Sequence, residues 1–119
     1  MQGGSYEALA CFAEDYEDEA PARRGELVRG RDQVRVNFER LLASMPDVHA
    51  ELRGTVDQGD GVWMEWAMAG TRPDGTRMEF VGVNLFKVED GLLKRGRIYT
   101  ELVRDAGGLE AQVERMTGP

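Results

Sequence analysis

Three short turn sequences constrain the fold of this chain more than any other feature. They read DQGDG, RPDG and EDG, and they consist largely of the residues that tight turns require. Between and around them lie four segments with strand-like apolar residues, at about 48–56, 62–71, 76–88 and 92–103. Because tight turns join neighbouring antiparallel strands, the sequence predicts an antiparallel meander of four strands.

Helices are predicted before the meander. From Asp32 onward, apolar residues recur along one helical stripe until Pro46 stops the pattern. The stripe consists of Val34, Phe38, Leu41, Leu42 and Met45. Ser5 is the expected N-cap of a shorter helix that reaches Ala13, followed by an irregular acidic loop, EDYEDEAPARRGE. Helices first and a meander second predict an α+β fold in which a curved antiparallel sheet packs on N-terminal helices.

Composition narrows the classes of function. The 119 residues fit one domain, 1–119, in which 1–4 and 106–119 are expected to be peripheral or flexible, with a weak helix in the tail. A net charge of −7 argues against a nucleic-acid partner. The absence of a long apolar run or a leader-like start predicts a cytoplasmic protein that does not bind membranes. One Cys, one His and no glycine-rich phosphate loop predict a protein without metal or organic cofactor.

The turns also predict which residues share a face of the sheet. If Asp90 and Gly91 form a two-residue turn, and Gly75 is left-handed in a three-residue loop, the two hairpins give one consistent register. One face then carries three rows, which are Met64, Asn84 and Arg97; Trp66, Gly82 and Tyr99; and Met68, Phe80 and Glu101. The opposite face is predicted to carry Trp63, Glu65, Ala67, Val81, Val83, Leu85, Ile98, Thr100 and Leu102.

Four stretches of the sequence together resemble a known family. They are CFAEDYEDEAP, GRDQVRVNFERLLASMPDVHAEL, GTRPDGTRMEFVGVNLFKVEDG and RIYTEL. In order and spacing they resemble the SnoaL-like polyketide cyclases of the nuclear-transport-factor-2-like superfamily, which also contains ketosteroid isomerase and limonene epoxide hydrolase. The resemblance implies a cone-shaped α+β fold that encloses a pocket, and a homodimer formed through the outer face of the sheet. The fold alone does not determine which reaction, if any, the protein catalyses.

Few functional positions of these relatives carry over to this chain. The general base of ketosteroid isomerase falls on Ala20, and its oxyanion-binding aspartate falls on Asn84. The arginine and aspartate of limonene epoxide hydrolase fall on Trp66 and Met68. The Tyr-x-Asp pattern on the last strand, whose carboxylate is an acid or base in several SnoaL-like cyclases, matches 99–101 with Glu in place of Asp.

Glu101 is therefore the first catalytic candidate from sequence. Apolar neighbours such as Phe80 and Met68 would make it a useful acid or base, and Tyr99 and Asn84 would polarise a substrate oxygen. The alternatives are an ion pair of Glu101 with Arg97 or another arginine, a buried structural tyrosine, and a hydrogen bond from Arg97 to Asn84.

A substrate-binding set is also expected on the predicted pocket face. Its members are Trp66, Met64, Met68, Phe80, Phe86 and Arg97. The alternative for the apolar members is an ordinary hydrophobic core.

The expected function is that of a cofactor-independent enzyme. It would perform acid/base chemistry, of the cyclase, isomerase, dehydratase or hydrolase type, on a small apolar oxygenated molecule. The alternative is a module of the same fold that binds a hydrophobic ligand without turnover or that serves only in dimerisation. The apolar residues of the opposite face favour a homodimer, because such a face needs a cover.

Overall fold

A six-stranded curved sheet forms the frame of the molecule, and the computed structural model describes residues 9–104 and 108–118. The strands are β1 (Phe12–Ala20), β2 (Glu26–Arg29), β3 (His49–Asp57), β4 (Gly61–Thr71), β5 (Arg77–Glu89) and β6 (Leu92–Leu102). The helices are α1 (Arg31–Ser44) and α2 (Leu109–Thr117), and a 3-10 turn spans Pro21–Arg23. The sheet has the order β2-β1-β6-β5-β4-β3 and is not closed. The predicted α+β class is confirmed, and so is the antiparallel meander from β3 to β6.

The acidic segment before α1 differs from its prediction. It forms β1, which runs parallel to β6, and β2, which is antiparallel to β1, so the sheet is mixed rather than purely antiparallel. The part of the expected short helix up to position 8 lies outside the described residues. Its predicted end is wrong, because the chain is extended from Phe12 onward. A strand this acidic is stable because its outward carboxylates meet cations across the sheet: Glu17 lies 3.0 Å from Arg29 and Glu19 lies 3.3 Å from Arg97.

The predicted main helix is confirmed as α1. Gly30 precedes it with a φ of 89°, a conformation that favours glycine, and donates its backbone N–H to the Tyr16 carbonyl at 2.7 Å. Asp32 in the first turn complements the positive end of the helix dipole. Val34 is buried, and Phe38 packs against the core beside it. These contacts place α1 against β1 and β2 on one side of the sheet, which we call the inner face.

The core lies on this inner face and is dominated by three aromatic rings. Tyr16 is 1% exposed, and its ring meets Phe12 edge-on with centroids 4.8 Å apart. Phe86 lies 6.5 Å from both. Leu9 and Val34 complete the buried cluster, and the partly buried residues packed against it include Met64, Leu93 and Ile98.

Both predicted turns are confirmed, but they do not give the whole register. Asp90 and Gly91 have φ values of 52° and 75°, as a type I′ turn requires, and Gly75 has a φ of 87°. The predicted pairing of β4 with β5 is confirmed at Met64 with Asn84, Trp66 with Gly82, and Met68 with Phe80.

The predicted pairing of β5 with β6 is wrong beyond its first two pairs. Val88 pairs with Leu93, but Lys87 pairs with Arg95, so Lys94 is the extra residue of a β-bulge. A shift of one residue moves every later side chain of β6 to the other face.

The bulge has a clear physical reason. Without it, Arg95, Arg97 and Glu101 would point toward the aromatic core, and burying charges without partners costs several kcal/mol. With it, Gly96 and Ile98 face the core instead.

Among the described residues, no helix is long and apolar enough to cross a membrane. The cytoplasmic location stays a prediction.

Candidate functional site

The inner face carries two pairs of polar groups set among the apolar residues. On β1, Tyr16 and Asp18 are two positions apart and therefore point to the same side of the sheet. On β4 and β5, Trp66 and Asn84 are diagonal neighbours, because Trp66 pairs with Gly82 and Asn84 lies two residues further along. All four residues stand on the side of the sheet that packs against α1.

Two glycines let the aromatic members of these pairs lie close to the sheet. A Cβ atom at Gly96 would collide with the Tyr16 hydroxyl and would lie 3.1 Å from the Phe86 ring. A Cβ atom at Gly82 would lie 2.7 Å from Cε2 of Trp66 and 2.6 Å from the Tyr99 carbonyl oxygen. Neither approach is possible over a residue with a side chain, so these glycines fix where the two rings sit.

Asp18 is the carboxyl group whose environment is most unusual. It pairs with Gly96 of β6 and is partly buried. Loss of hydration raises the pKa of Asp18 to about 6, from an ordinary 3.8, although hydrogen bonds from the Tyr16 hydroxyl and the Glu19 backbone N–H favour the ionised form. Burial also raises the pKa of the Tyr16 hydroxyl. Within the described part of the chain, Oδ1 of Asp18 is the one buried side-chain polar atom without a hydrogen-bond partner.

This combination is suited to proton transfer. A carboxyl group with a pKa near 6 is present in both protonation states close to neutral pH, so it can accept or donate a proton. The unpartnered oxygen has a lone pair that no described protein group uses. The Tyr16 hydroxyl, which favours the ionised form of Asp18, is itself part of a buried side chain.

The second polar pair presents hydrogen-bonding groups at the other end of the inner face. The Trp66 indole Nε1–H donates to Oδ1 of Asn84 at 3.0 Å, and both residues are partly buried. Asn84 therefore lies on the predicted face, but its partner is Trp66 rather than the Arg97 that the predicted register placed opposite it.

The structure does not bring Glu101 and Tyr99 to this site. Because of the bulge, Glu101 pairs with Val81 and Tyr99 with Val83, so both lie on the outer face. The Glu101 side chain is 71% exposed and lies 3.7 Å from Arg104. The grouping of Glu101, Tyr99 and Asn84 on one face is wrong, whereas the catalytic roles given to them are predictions that the structure does not test.

Arg97 is displaced in the same way. It faces outward, next to Leu85, and pairs with Glu19.

The expected apolar set remains on the inner face. Phe86 belongs to the buried core and Met64 packs against it, while Trp66, Met68 and Phe80 are partly buried.

Two hollows formed by described residues lie on the other side of the sheet. One, of about 490 Å³, is on the outer face, where Leu27 and Leu85 are surrounded by charged side chains such as Arg95 and Lys87. A second outer hollow, of about 320 Å³, includes Tyr99 and Glu101. The enclosed pocket on the inner face stays a prediction.

Sequence reasoning missed Asp18 because it assigned the acidic segment to a solvated loop. The alternation of residue types along that segment could have indicated a strand. Phe12, Tyr16 and Asp18 have even numbers, whereas Asp15, Glu17 and Glu19 alternate with them and pair with cations. Read as a strand, the segment places two carboxyl groups, Glu14 and Asp18, on the side of its aromatic residues, and in the structure Glu14 is exposed whereas Asp18 is partly buried.

Solved structures with the same fold support this architecture. IdmH from Streptomyces antibioticus, a proposed polyketide cyclase, is 22% identical, with 83% of this chain and 82% of that chain covered and a TM-score of 0.69. An NTF2-like protein of unknown function from Exiguobacterium is 16% identical, with 85% and 86% covered and a TM-score of 0.71. TerC, co-crystallised with polyporic acid, is 18% identical, with 78% and 75% covered and a TM-score of 0.66.

These likenesses are too distant to show more than the fold, and a comparison with curated proteins found no match. The family is shown by a different comparison. The model of the SnoaL-like domain matches residues 2–96, which is most of the chain and includes both polar pairs of the inner face. The protein is therefore a member of the SnoaL-like domain family.

Proposed function

We propose that this protein is a cofactor-independent enzyme that moves protons on a small, apolar, oxygenated molecule bound at the inner face. The observation that carries the proposal is Asp18. Its carboxyl group lies on the inner face with one buried, unpartnered oxygen, and its pKa of about 6 suits an acid or base at neutral pH. IdmH is a proposed polyketide cyclase and TerC was crystallised with polyporic acid, and a small organic ligand at this site is consistent with both.

The chemistry follows from the two polar pairs. The Asp18 carboxylate accepts a proton from a carbon next to a carbonyl group, and the electron pair of that C–H bond moves onto the carbonyl oxygen. Asn84 donates a hydrogen bond to the resulting enolate oxygen. The protonated Asp18 then gives the proton to another atom of the ligand. In an isomerisation this atom is a different carbon of the enolate. In a cyclisation it is the alkoxide oxygen formed when the enolate carbon attacks a second carbonyl group, and in an elimination it is the oxygen that leaves when the enolate electron pair expels it. Tyr16 stabilises the carboxylate form of Asp18 that is present before the first transfer and after the second.

The proposal moves the general acid or base from Glu101 to Asp18. Glu101 has the position where resembled enzymes keep a carboxylate, but it is exposed on the outer face and adjoins Arg104. The two assignments make different predictions for one reaction, the exchange of the α-protons of 1-tetralone for deuterium in D2O. This bicyclic ketone is apolar and has one carbonyl group, so it tests proton abstraction without knowledge of the natural substrate.

The experiment compares two matched variants. Asp18→Asn should lower the rate of protein-catalysed exchange about 10²- to 10⁴-fold, because it removes a positioned base. Glu101→Gln should leave the rate within about twofold. The opposite pattern would return the role to Glu101. Exchange no faster with the wild-type protein than in buffer would favour the alternative function, a module that binds a hydrophobic ligand without turnover.

We also propose that the protein forms a homodimer through the outer face of the sheet. The outer face exposes Trp63, Val81 and Tyr99 around the partly buried Val83 and Leu85. Three residues that the predicted register placed there, Ile98, Thr100 and Leu102, belong to the inner face, and Tyr99 replaces the two apolar ones in the apolar patch. A second copy of the chain would remove this patch from water.

A further inference from the structure

The hydrogen bond between Trp66 and Asn84 fixes the orientation of the amide group. An indole N–H can only donate, so the atom of Asn84 that lies 3.0 Å away must be the carbonyl oxygen. The amide nitrogen, with its two N–H donors, therefore points away from the indole.

Gly82 determines where the indole can lie. It pairs directly with Trp66, and the six-membered part of the indole lies against its Cα atom. Any side chain at this position would push the indole away from β5 and out of reach of the Asn84 oxygen. The orientation of the amide therefore depends on Gly82 through Trp66.

The amide nitrogen is the group left for a ligand. No described residue accepts a hydrogen bond from it, and Asn84 is partly exposed on the inner face. The strand spacings place the Cα atoms of Asn84 and Asp18 about 12 Å apart, two strands across and two residues along. Both side chains extend from the same face, and the proposed function places one bicyclic molecule between the two groups.

We propose that Trp66, supported by Gly82, is a positioning residue that turns the Asn84 amide nitrogen toward the ligand. The ligand then presents at this point an oxygen that accepts hydrogen bonds, as in a ketone, an enolate or a phenolate. This inference rests on the proposed function for the location of the ligand, but it concerns recognition rather than proton transfer.

A matched pair of small molecules tests the inference. 1-Tetralone and tetralin share the same bicyclic frame, but only the first has a carbonyl oxygen. The sequence contains two tryptophans, so in a Trp63→Phe background the intrinsic tryptophan fluorescence comes from Trp66 alone, and Trp63 lies on the other face. We expect 1-tetralone to bind about 3- to 10-fold more tightly than tetralin, the effect of one hydrogen bond. In Asn84→Asp, which accepts from the indole but does not donate when ionised, the preference should disappear or reverse.

NMR reports the role of Trp66 directly. The sequence contains two asparagines, Asn37 and Asn84, so a protein labelled with ¹⁵N-asparagine shows two side-chain amide groups. 1-Tetralone, and not tetralin, should shift the Asn84 amide protons downfield, while those of Asn37 stay in place. Trp66→Phe keeps an aromatic ring but removes the indole N–H, and we expect the downfield shift to be lost in this variant. Gly82→Ala should have the same effect if it folds.

The possible outcomes separate this inference from the proposed function. A preference for 1-tetralone without deuterium exchange supports the inference and refutes the enzyme. Deuterium exchange that depends on Asp18, together with equal affinity for 1-tetralone and tetralin, supports the enzyme and refutes the inference. The inference is also overturned if neither molecule binds up to its solubility limit, or if Trp66→Phe leaves the downfield shift unchanged.

Discussion

Replacing Asp18 by asparagine should stabilise the protein at neutral pH. The folded state raises the pKa of this carboxyl group from 3.8 to about 6, so the fold favours the protonated form. The associated stability is fully present below pH 3.8 and is lost as the pH rises through 6. Asparagine has nearly the same shape and never ionises, so the variant should keep the stability that the wild-type protein loses.

The size of the effect can be worked out from the pKa. A shift of about two pH units corresponds to roughly 3 kcal/mol, because each unit is worth about 1.4 kcal/mol. Asp18 is only partly buried, and solvent screening reduces the effective value. We therefore expect Asp18→Asn to raise the free energy of unfolding by about 1–2 kcal/mol at pH 8. At pH 4.5 the gain should be about a third of that, because the native carboxyl group is then mostly protonated.

Urea unfolding followed by circular dichroism at pH 4.5 and pH 8 measures both values. Glu101→Gln is the matched control, since it removes an exposed carboxylate and should change the stability by less than about 0.5 kcal/mol at either pH. A variant no more stable than the wild-type protein at pH 8 would contradict the reasoning. An equal gain at the two pH values would also contradict it, because the cause would then not be ionisation.

Four further predictions concern the frame around this site and the surfaces of the protein. Tyr16→Phe removes a donor to the Asp18 carboxylate, so it should raise the pKa of Asp18 further, as measured by ¹³C NMR titration; an unchanged or lower value would contradict it. Gly96→Ala should destabilise the fold by about 1–3 kcal/mol in urea unfolding, because the new methyl group meets the Tyr16 hydroxyl, and unchanged stability would exclude this packing. Val83→Lys should give a monomer or aggregate in light scattering, and a wild-type protein that is already monomeric at micromolar concentration would rule out the dimer. Turnover or ligand binding should survive treatment with a chelator, whereas loss of activity that added metal restores would exclude a metal-free mechanism.

The parts of the fold that depend on local signals could be predicted from sequence. The helical stripe from Val34 to Met45 and the turns at Asp90 and Gly75 each specify their own conformation, and all appear in the structure. The register of β4 with β5 followed from the turn alone because no bulge interrupts that pair.

The candidate site could not be predicted from such signals because it depends on tertiary contacts. The sequences of the turns do not predict the bulge at Lys94, because it arises from the cost of burying Arg97 and Glu101. β1 was missed since its acidic residues disfavour a strand until their cations are in place across the sheet. Burial raises the pKa of Asp18, and this burial requires β1 to lie beside Gly96 of β6.

The parallel pairing of β1 with β6 has a consequence for how the protein folds. The contacts that join these strands link residues far apart in sequence, as in the ion pairs of Asp15 with Lys94 and of Glu19 with Arg97, which are 79 and 78 residues apart. Such contacts carry a high loop-closure entropy and are associated with slow folding. During synthesis, β1 has no partner on this side until β6 leaves the ribosome. Asp18 would keep its hydration until then, so the environment that distinguishes this carboxyl group forms only after β6 has been synthesised.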